Sequence, residues 1–263
     1  MVRLSLLGIP HDDNSSFLKG PAEAPPLIRR EFRSDAYSSW SETGVDLADR
    51  VDHLGDLRFD GAADAWEVIE QNVARANDPL ICVGGDHAIT HPILRAVRRR
   101  HPALTILHFD AHPDIYHAYQ GNPRSHASPF ARIMEEGLCD RLIQVGIRAF
   151  NDHHRDQFRR FGVEVIEAFR CGDGIGFDLK TPVYISLDMD GLDPAYAPGV
   201  SHREPGGLTP RQVIGWIQSI EQPIIGADIV EYNPRCDISN VTATVAAKLL
   251  KEIAGMMVKT NGG

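Results

Sequence analysis

Leu104-Thr105-Ile106-Leu107-His108-Phe109-Asp110-Ala111-His112-Pro113-Asp114 is the stretch whose reading decides the fold. It joins a short, nearly all-apolar run, Leu104 to Phe109, to a segment in which every second residue is Asp or His. Apolar runs of this length, rich in β-branched residues, read as strands buried on both faces. Along extended backbone alternate side chains share a face, and Pro113 biases His112 toward that conformation, so Asp110, His112 and Asp114 can point the same way. Similar runs recur at Leu4 to Ile9, Leu80 to Val83, Leu142 to Ile147, Val183 to Leu187 and Ile224 to Val230. Between them, Ala62 to Ala76, Ile89 to Arg100, Pro129 to Glu136, Arg211 to Ile220 and Thr242 to Met256 carry helical spacing with polar faces. The alternation predicts an α/β fold with a mainly parallel sheet covered by helices.

Four of these strands run into polar clusters. Leu80 to Val83 leads to Gly84-Gly85-Asp86-His87, Leu104 to Phe109 to the segment above, Val183 to Leu187 to Asp188-Met189-Asp190, and Ile224 to Val230 to Glu231. Ligands of open α/β sheets collect beyond the carboxyl ends of the strands, so the clusters are expected to converge on one rim. The stretches Asn14 to Pro26, Tyr116 to Ser128 and Gly191 to Gly207 read as loops. No repeat or linker divides the chain, and one domain over residues 1–263 is the expectation.

Composition narrows the partners. The chain has 27 Lys and Arg against 36 Asp and Glu, a net charge of −9, which gives no general electrostatic reason to hold nucleic acid or an anionic membrane. Small cationic ligands fit better. Cys82, Cys139, Cys171 and Cys236 are widely spaced without a C-x-x-C pair, so neither a disulfide framework nor a zinc ribbon is expected. The beginning, Met1 to Pro10, has no signal-peptide pattern, and a cytoplasmic location is the expectation from sequence. Of the 12 histidines, seven (His87, His91, His101, His108, His112, His117, His126) crowd into positions 87 to 126.

The chemistry rests on six of these side chains. His87, Asp110, His112, Asp114, Asp188 and Asp190 combine two imidazoles with four carboxylates, and burying uncompensated carboxylates together costs several kcal/mol each. Four negative charges balance two divalent ions. Oxygen-rich, nitrogen-poor shells favour Mn²⁺ or Mg²⁺, and imidazole tilts the choice to Mn²⁺. Ions about 3.5 to 4 Å apart can share a water whose pKa falls toward neutrality.

Other motifs read more simply. His87-Ala88-Ile89-Thr90-His91 has zincin spacing, but Ala88 stands where a general-base Glu is needed, so His91 is expected to pack or cap on the following helix. His153 and His154 diverge by about 100° on a helix and are expected at the surface. Arg95, Arg98, Arg99 and Arg100 read as a solvated helix end, and Asp86 and Asp193, beside Gly or Pro, are open to capping or loop bracing at least as much as to ligation.

The set Gly84-Gly85-Asp86-His87, Phe109 to Asp114, Ser186-Leu187-Asp188-Met189-Asp190-Gly191-Leu192-Asp193-Pro194 and Glu204-Pro205-Gly206-Gly207-Leu208 resembles the signatures of the ureohydrolase family of arginases, agmatinases and formiminoglutamases, in the family's order. The resemblance spans nearly the whole chain. Through Asn14 to Leu18, Ser125 to Met134 and Ala197 to His202 it is nearest to the plant-type, agmatinase-like arginases. It implies a three-layer α/β/α subunit in a homo-oligomer, trimer or hexamer, with two Mn²⁺ per subunit. One ion would be held by His87, Asp110, Asp114 and Asp188, the other by His112, Asp110, Asp188 and Asp190, with Asp110 and Asp188 bridging. The implied reaction is hydrolysis of a guanidino compound to urea and an amine, from L-arginine or agmatine. The resemblance gives Asp114 proton transfer from the nucleophile, His126 a proton shuttle or substrate contact, and Glu231 the pairing with the guanidinium. Another guanidino acid, formiminoglutamate, a mononuclear zinc deacetylase-like site or an inactive metal-binding regulatory subunit are the alternatives. Animal and bacterial arginases carry Asn two residues after the D-x-H-x-D segment, where this chain has Tyr116, and Arg124 is a cation available to a substrate carboxylate if it does not simply face solvent.

Overall fold

The computed structural model describes residues 2–61, 63–172 and 175–262. In chain order its main elements are β1 (Leu4–Ile9), α1 (Ala24–Phe32), β2 (Val51–Asp56), α2 (Ala65–Arg75), β3 (Leu80–Gly84), α3 (Thr90–Arg100), β4 (Thr105–Phe109), α4 (Pro129–Glu135), β5 (Arg141–Ile147), α5 (Asp152–Phe161), β6 (Glu164–Glu167), β7 (Val183–Asp188), α6 (Pro210–Gln218), β8 (Ile224–Val230) and α7 (Val241–Asn261). The eight strands form one sheet in the order β2-β1-β3-β8-β7-β4-β5-β6, every pair parallel. Apolar strands without alternation bury both faces, and two cores result. Leu107, Phe109, Ile143 and Val145 pack with Ile28 of α1, Val213 and Ile217 of α6 and Leu249 and Ile253 of α7. Ile106, Leu104 and Leu142 turn the other way, to Ile69 and Val73 of α2, Ile93 and Val97 of α3 and Phe130 and Ile133 of α4. The three-layer α/β/α arrangement is thus present.

Every expected strand is found, within a residue at each end. The edge strands β2 and β6 escape an apolar-run criterion because each has only one covered flank and carries polar residues, Asp52, His53 and Asp56 in one and Glu164 and Glu167 in the other. Helix α1 begins inside a stretch expected to be loop: Pro25 and Pro26 sit in its first turn, where the missing N–H has no acceptor to lose. The expected start of α2, Ala62, lies outside the described residues; the helix begins at Ala65 behind Asp64, whose carboxylate accepts from the Trp66 amide. Helix α5, strongly polar, lies outside the segments read as helices from their spacing, although His153 and His154 are read as helical neighbours; it starts at an Asn151 capping box and ends at left-handed Gly162.

The turn after β3 is tied to both neighbours. Gly85 N–H donates to Ile9 O at 3.0 Å and Asp86 N–H to His11 O at 3.0 Å, while Glu231 N–H donates to Gly85 O at 2.9 Å. A Cβ on Gly85 would stand 1.6 Å from His11 O, so only glycine allows this approach. His91 packs on its helix as expected, its ring edge-on to Trp66 at 4.8 Å and Nε2 3.0 Å from Glu136 Oε1.

Three histidines are stored uncharged. Burial, helped by Arg95, Arg132 and Arg124, pushes the His91 imidazolium down to about 3. Burial, with Arg33 and Arg29, brings His53 to about 4, and burial brings His154 to about 4. Each takes up a proton below about 6.5 when the chain unfolds, so the unfolded state binds more protons and stability falls as pH drops from about 6.5 toward 4. These three contribute a loss of stability on acidification through that window, and His91→Gln should remove its share, so that the variant's melting temperature falls less than that of wild type between about pH 6.5 and 4; an unchanged pH slope in the variant would remove His91 from the effect.

Candidate metal centre and cavity

The loops leaving β3, β4, β7 and β8 meet over the carboxyl edge of the sheet and bring the six predicted residues together. His87 Nδ1 lies 3.3 Å from Asp110 Oδ2, 3.0 Å from Asp114 Oδ2 and 3.1 Å from Asp188 Oδ2. His112 Nδ1 lies 3.2 Å from Asp190 Oδ2 and 3.6 Å from Asp110 Oδ1. Taking one donor atom per residue, His87, Asp110, Asp114 and Asp188 all fall within 4.8 Å of one another, and so do Asp110, His112 and Asp190. Asp110 belongs to both sets. Asp188 belongs to the first only, its Oδ1 accepting from the Asp190 amide at 2.8 Å.

His87 Nδ1 is the diagnostic atom. It is wholly buried, has no hydrogen-bond partner among the described residues, and faces three carboxylate oxygens. An unsatisfied buried nitrogen costs about 1 to 3 kcal/mol, and octahedral donors 2.0 to 2.1 Å from a shared cation stand about 3 Å apart. The residues present therefore fit a divalent ion. Burial and the nearby Asp190 and Asp110 drive the Asp188 carboxyl well above its ordinary range when no cation opposes them. Burial raises Asp190 to about 6 despite His112.

Hydrogen bonds behind the donors set their protons. Tyr184 Oη and Thr90 Oγ1 donate to Asp228 Oδ2 at 2.7 and 3.0 Å, and Ser186 Oγ donates to Asp228 Oδ1 at 2.7 Å. With its hydrogen committed to Asp228, Ser186 Oγ can only accept from His87 Nε2, 2.9 Å away. The His87 proton is thereby held on Nε2 and the lone pair on Nδ1. Behind Asp110 the amide of Gln144 donates to Pro113 O at 2.6 Å and to His108 Nδ1 at 3.1 Å, so His108 Nε2–H donates to Asp110 Oδ2 at 2.7 Å.

A cavity of about 180 Å³ opens over this cluster, walled on the metal side by His112, Asp114, Asp188 and Asp190 and opposite by His126 and Glu231. His126 Nδ1 donates to Glu231 Oε1 at 2.8 Å, and the Ser16 amide donates to His126 Nε2 at 3.1 Å. Asp114 and Glu231 both have left-handed backbone, φ 47° and 61°, a conformation that costs non-glycine residues of order 1 to 3 kcal/mol.

Four further residues of the wall, Ser16, Tyr119, His154 and His202, were not read as site residues. Ser16 and His202 lie in stretches noted only as loops and for their resemblance, and no pattern picks out Tyr119. The surface position expected of His154 is wrong: it is 4% exposed, because α5 packs its first turn onto Tyr116. Arg124 is not at the cavity; it pairs with Asp64 at 2.7 Å and lies over Trp66. Asp86 caps Ala88 N and takes Asn14 N, and Asp193 takes Ala195, Gly206 and Gly207 N, so both brace loops. The four cysteines are unbridged.

A model of the arginase family matches residues 2–255. The mitochondrial arginase of Medicago truncatula is 43% identical over 97% of this chain and 82% of its own length. The solved structure of the arginase from Medicago truncatula superposes with a TM-score of 0.90, covering 97% of this chain and 87% of that one at 42% identity. Arginase 2, chloroplastic/mitochondrial, of Arabidopsis thaliana is 43% identical over 97% of this chain and 80% of its own length. The N(1)-aminopropylagmatine ureohydrolase of Thermus thermophilus is 36% identical over 88% of this chain and 83% of its length. These relatives overturn the cytoplasmic expectation: the plant proteins are mitochondrial or chloroplastic by name.

Ser186→Ala should free His87 to change tautomer and weaken retention of divalent ions by about tenfold to a hundredfold. Equilibrium dialysis against Mn²⁺ checks this; unaltered retention would show that Ser186 does not govern the ligand nitrogen.

Proposed function

This chain belongs to the arginase family, and from that membership we propose that it hydrolyses L-arginine to L-ornithine and urea in a single domain spanning residues 1–263. It is a hydrolase acting on guanidino C–N bonds, with a small guanidino compound as substrate. We propose two Mn²⁺ per subunit, one on His87, Asp110, Asp114 and Asp188 and one on His112, Asp110 and Asp190, to which the family resemblance adds Asp188. A homo-oligomer, trimer or hexamer, is part of the same reading.

Divalent ions bound there supply a water whose pKa falls toward neutrality and positive charge beside the carbon under attack. The chain's own groups do the rest. Both hydrogen bonds recorded on the Glu231 carboxylate, from the His87 amide at 3.0 Å and from His126 at 2.8 Å, fall on Oε1. Oε2 has no donor among the described residues and is left for the planar guanidinium, which a carboxylate matches in shape and charge. Asp114, at the cavity wall beside the donors, takes the proton of the attacking water and passes it toward the leaving nitrogen. His126 carries its proton on Nδ1 toward Glu231. Burial opposes a second proton, but the Glu231 charge outweighs it and raises the ring to about 9, so a protonated His126 that gives up its contact with the Ser16 amide can donate a proton into the cavity.

The observation that carries this reading is the buried, unpartnered His87 Nδ1 among three carboxylates in a chain so similar to an arginase. A single-zinc deacetylase reading leaves the second set, Asp110, His112 and Asp190, without a purpose. The test is to load the protein with Mn²⁺, count bound ions, and measure urea and formamide from arginine, agmatine, guanidinobutyrate, guanidinopropionate and formiminoglutamate. Urea from arginine with two ions per chain supports the proposal, and no product from any of the five would reject it. Glu231→Gln should keep its metal while raising KM for the preferred substrate about tenfold or more, and unaltered kinetics would remove Glu231 from guanidinium binding.

A further inference from the structure

Arginine differs from agmatine only by a carboxylate, and none of the residues lining the cavity is Lys or Arg. The hydrogen bonds of one residue, Asn151, show what can take its place. As N-cap of α5, Asn151 accepts the His154 amide on Oδ1 at 3.3 Å, which settles the orientation of its side-chain amide. Nδ2 must then be the atom that donates to Tyr116 Oη, at 2.7 Å. A phenol oxygen that accepts this bond keeps its own hydrogen free to donate elsewhere. The Asn151 backbone N–H donates to His154 Nδ1 at 3.1 Å, so the ring proton sits on Nε2, which has no hydrogen-bond partner among the described residues. Burial keeps the ring neutral, so this remains an N–H donor rather than a free cation. The two rings pack together, centroids 4.2 Å apart, and both residues line the cavity. One capping residue thus prepares two neutral donors, the Tyr116 hydroxyl and the His154 Nε2–H, on the same stretch of wall.

We propose that Tyr116 and His154 bind the α-carboxylate of the substrate through these two donors, and that they decide between amino-acid and decarboxylated guanidino substrates. The proposal rests on the arginine reading above and names the contacts that make it selective. Neutral donors suit this place. A guanidinium or ammonium on the wall would compete for Asp114, Asp190 and Glu231, whereas a hydroxyl and an imidazole N–H can serve a carboxylate without adding a charge.

The experiment is steady-state kinetics with arginine and agmatine on Mn²⁺-loaded wild type, Tyr116→Phe, His154→Leu and His154→Gln, with bound metal counted in each. Tyr116→Phe removes a single hydroxyl and keeps the ring, so it guards against misfolding of the His154 variants. Expected for Tyr116→Phe and His154→Leu is an arginine KM raised about tenfold with kcat nearly kept, and an arginine-to-agmatine ratio of kcat/KM lowered by a similar factor wherever agmatine is turned over. His154→Gln, which retains an N–H donor near the position of Nε2, should recover part of the loss. A fall in kcat with KM unaltered, equal losses on both substrates, or wild-type values in Tyr116→Phe would overturn the carboxylate contact while leaving the hydrolase reading intact. Wild type that yields urea from agmatine and none from arginine would overturn the arginine reading, and this proposal with it.

Discussion

Negative charge concentrated at one dry edge of a parallel sheet is the constraint on which the rest of the structure depends. Asp110, Asp188, Asp190 and Asp228 are almost wholly buried, with Asp114 and Glu231 close beside them. Carboxylates in such a place are tolerable only if each is met by donors or by a cation. Asp228 is met by three hydroxyls spread over both oxygens, whereas Glu231 takes a histidine and an amide on Oε1 alone. Asp110, Asp114, Asp188 and Asp190, whatever histidine or backbone donors they also take, converge on His87 Nδ1 and His112 Nδ1, and that difference separates supporting carboxylates from candidate metal ligands.

The sheet order explains why the difference falls where it does. β3, β8, β7 and β4 are consecutive neighbours, so their carboxyl ends lie side by side and four loops open onto one space. Parallel pairing aligns these ends in a way that antiparallel pairing could not. Close backbone approaches, such as Gly85 against His11, hold the loops near enough for side chains from positions 87 to 231 to share a cavity. The left-handed backbone at Asp114 and Glu231 aims two of these side chains and stores strain the surrounding hydrogen bonds must offset.

Hydrogen-bond direction then decides chemistry. Ser186 is made an acceptor toward His87 by Asp228; His108 is made a donor toward Asp110 by Gln144; His154 and Tyr116 are made donors by Asn151. In each case a residue away from the reacting atoms chooses which face of an imidazole or hydroxyl is presented. Removing such a residue would leave the ring in position with its proton on the wrong atom.

The sequence alone determined the parallel α/β plan and the six candidate ligands, because both are written in short-range terms: an apolar run of five or six residues, followed by Asp or His at alternate positions. For Asp86 and Asp193 it left bracing and ligation both open, and the structure makes them braces. Only the tertiary structure decided the edge strands β2 and β6, whose polar residues are permitted by exposure on one flank, and the fate of His154, which a polar helix hides against Tyr116. Tautomers, the absence of Asp188 from the second donor set, and the neutral donors Tyr116 and His154 on the cavity wall were likewise beyond sequence. Each depends on donors and acceptors brought together from distant parts of the chain, and local pattern carries no record of which of them will meet.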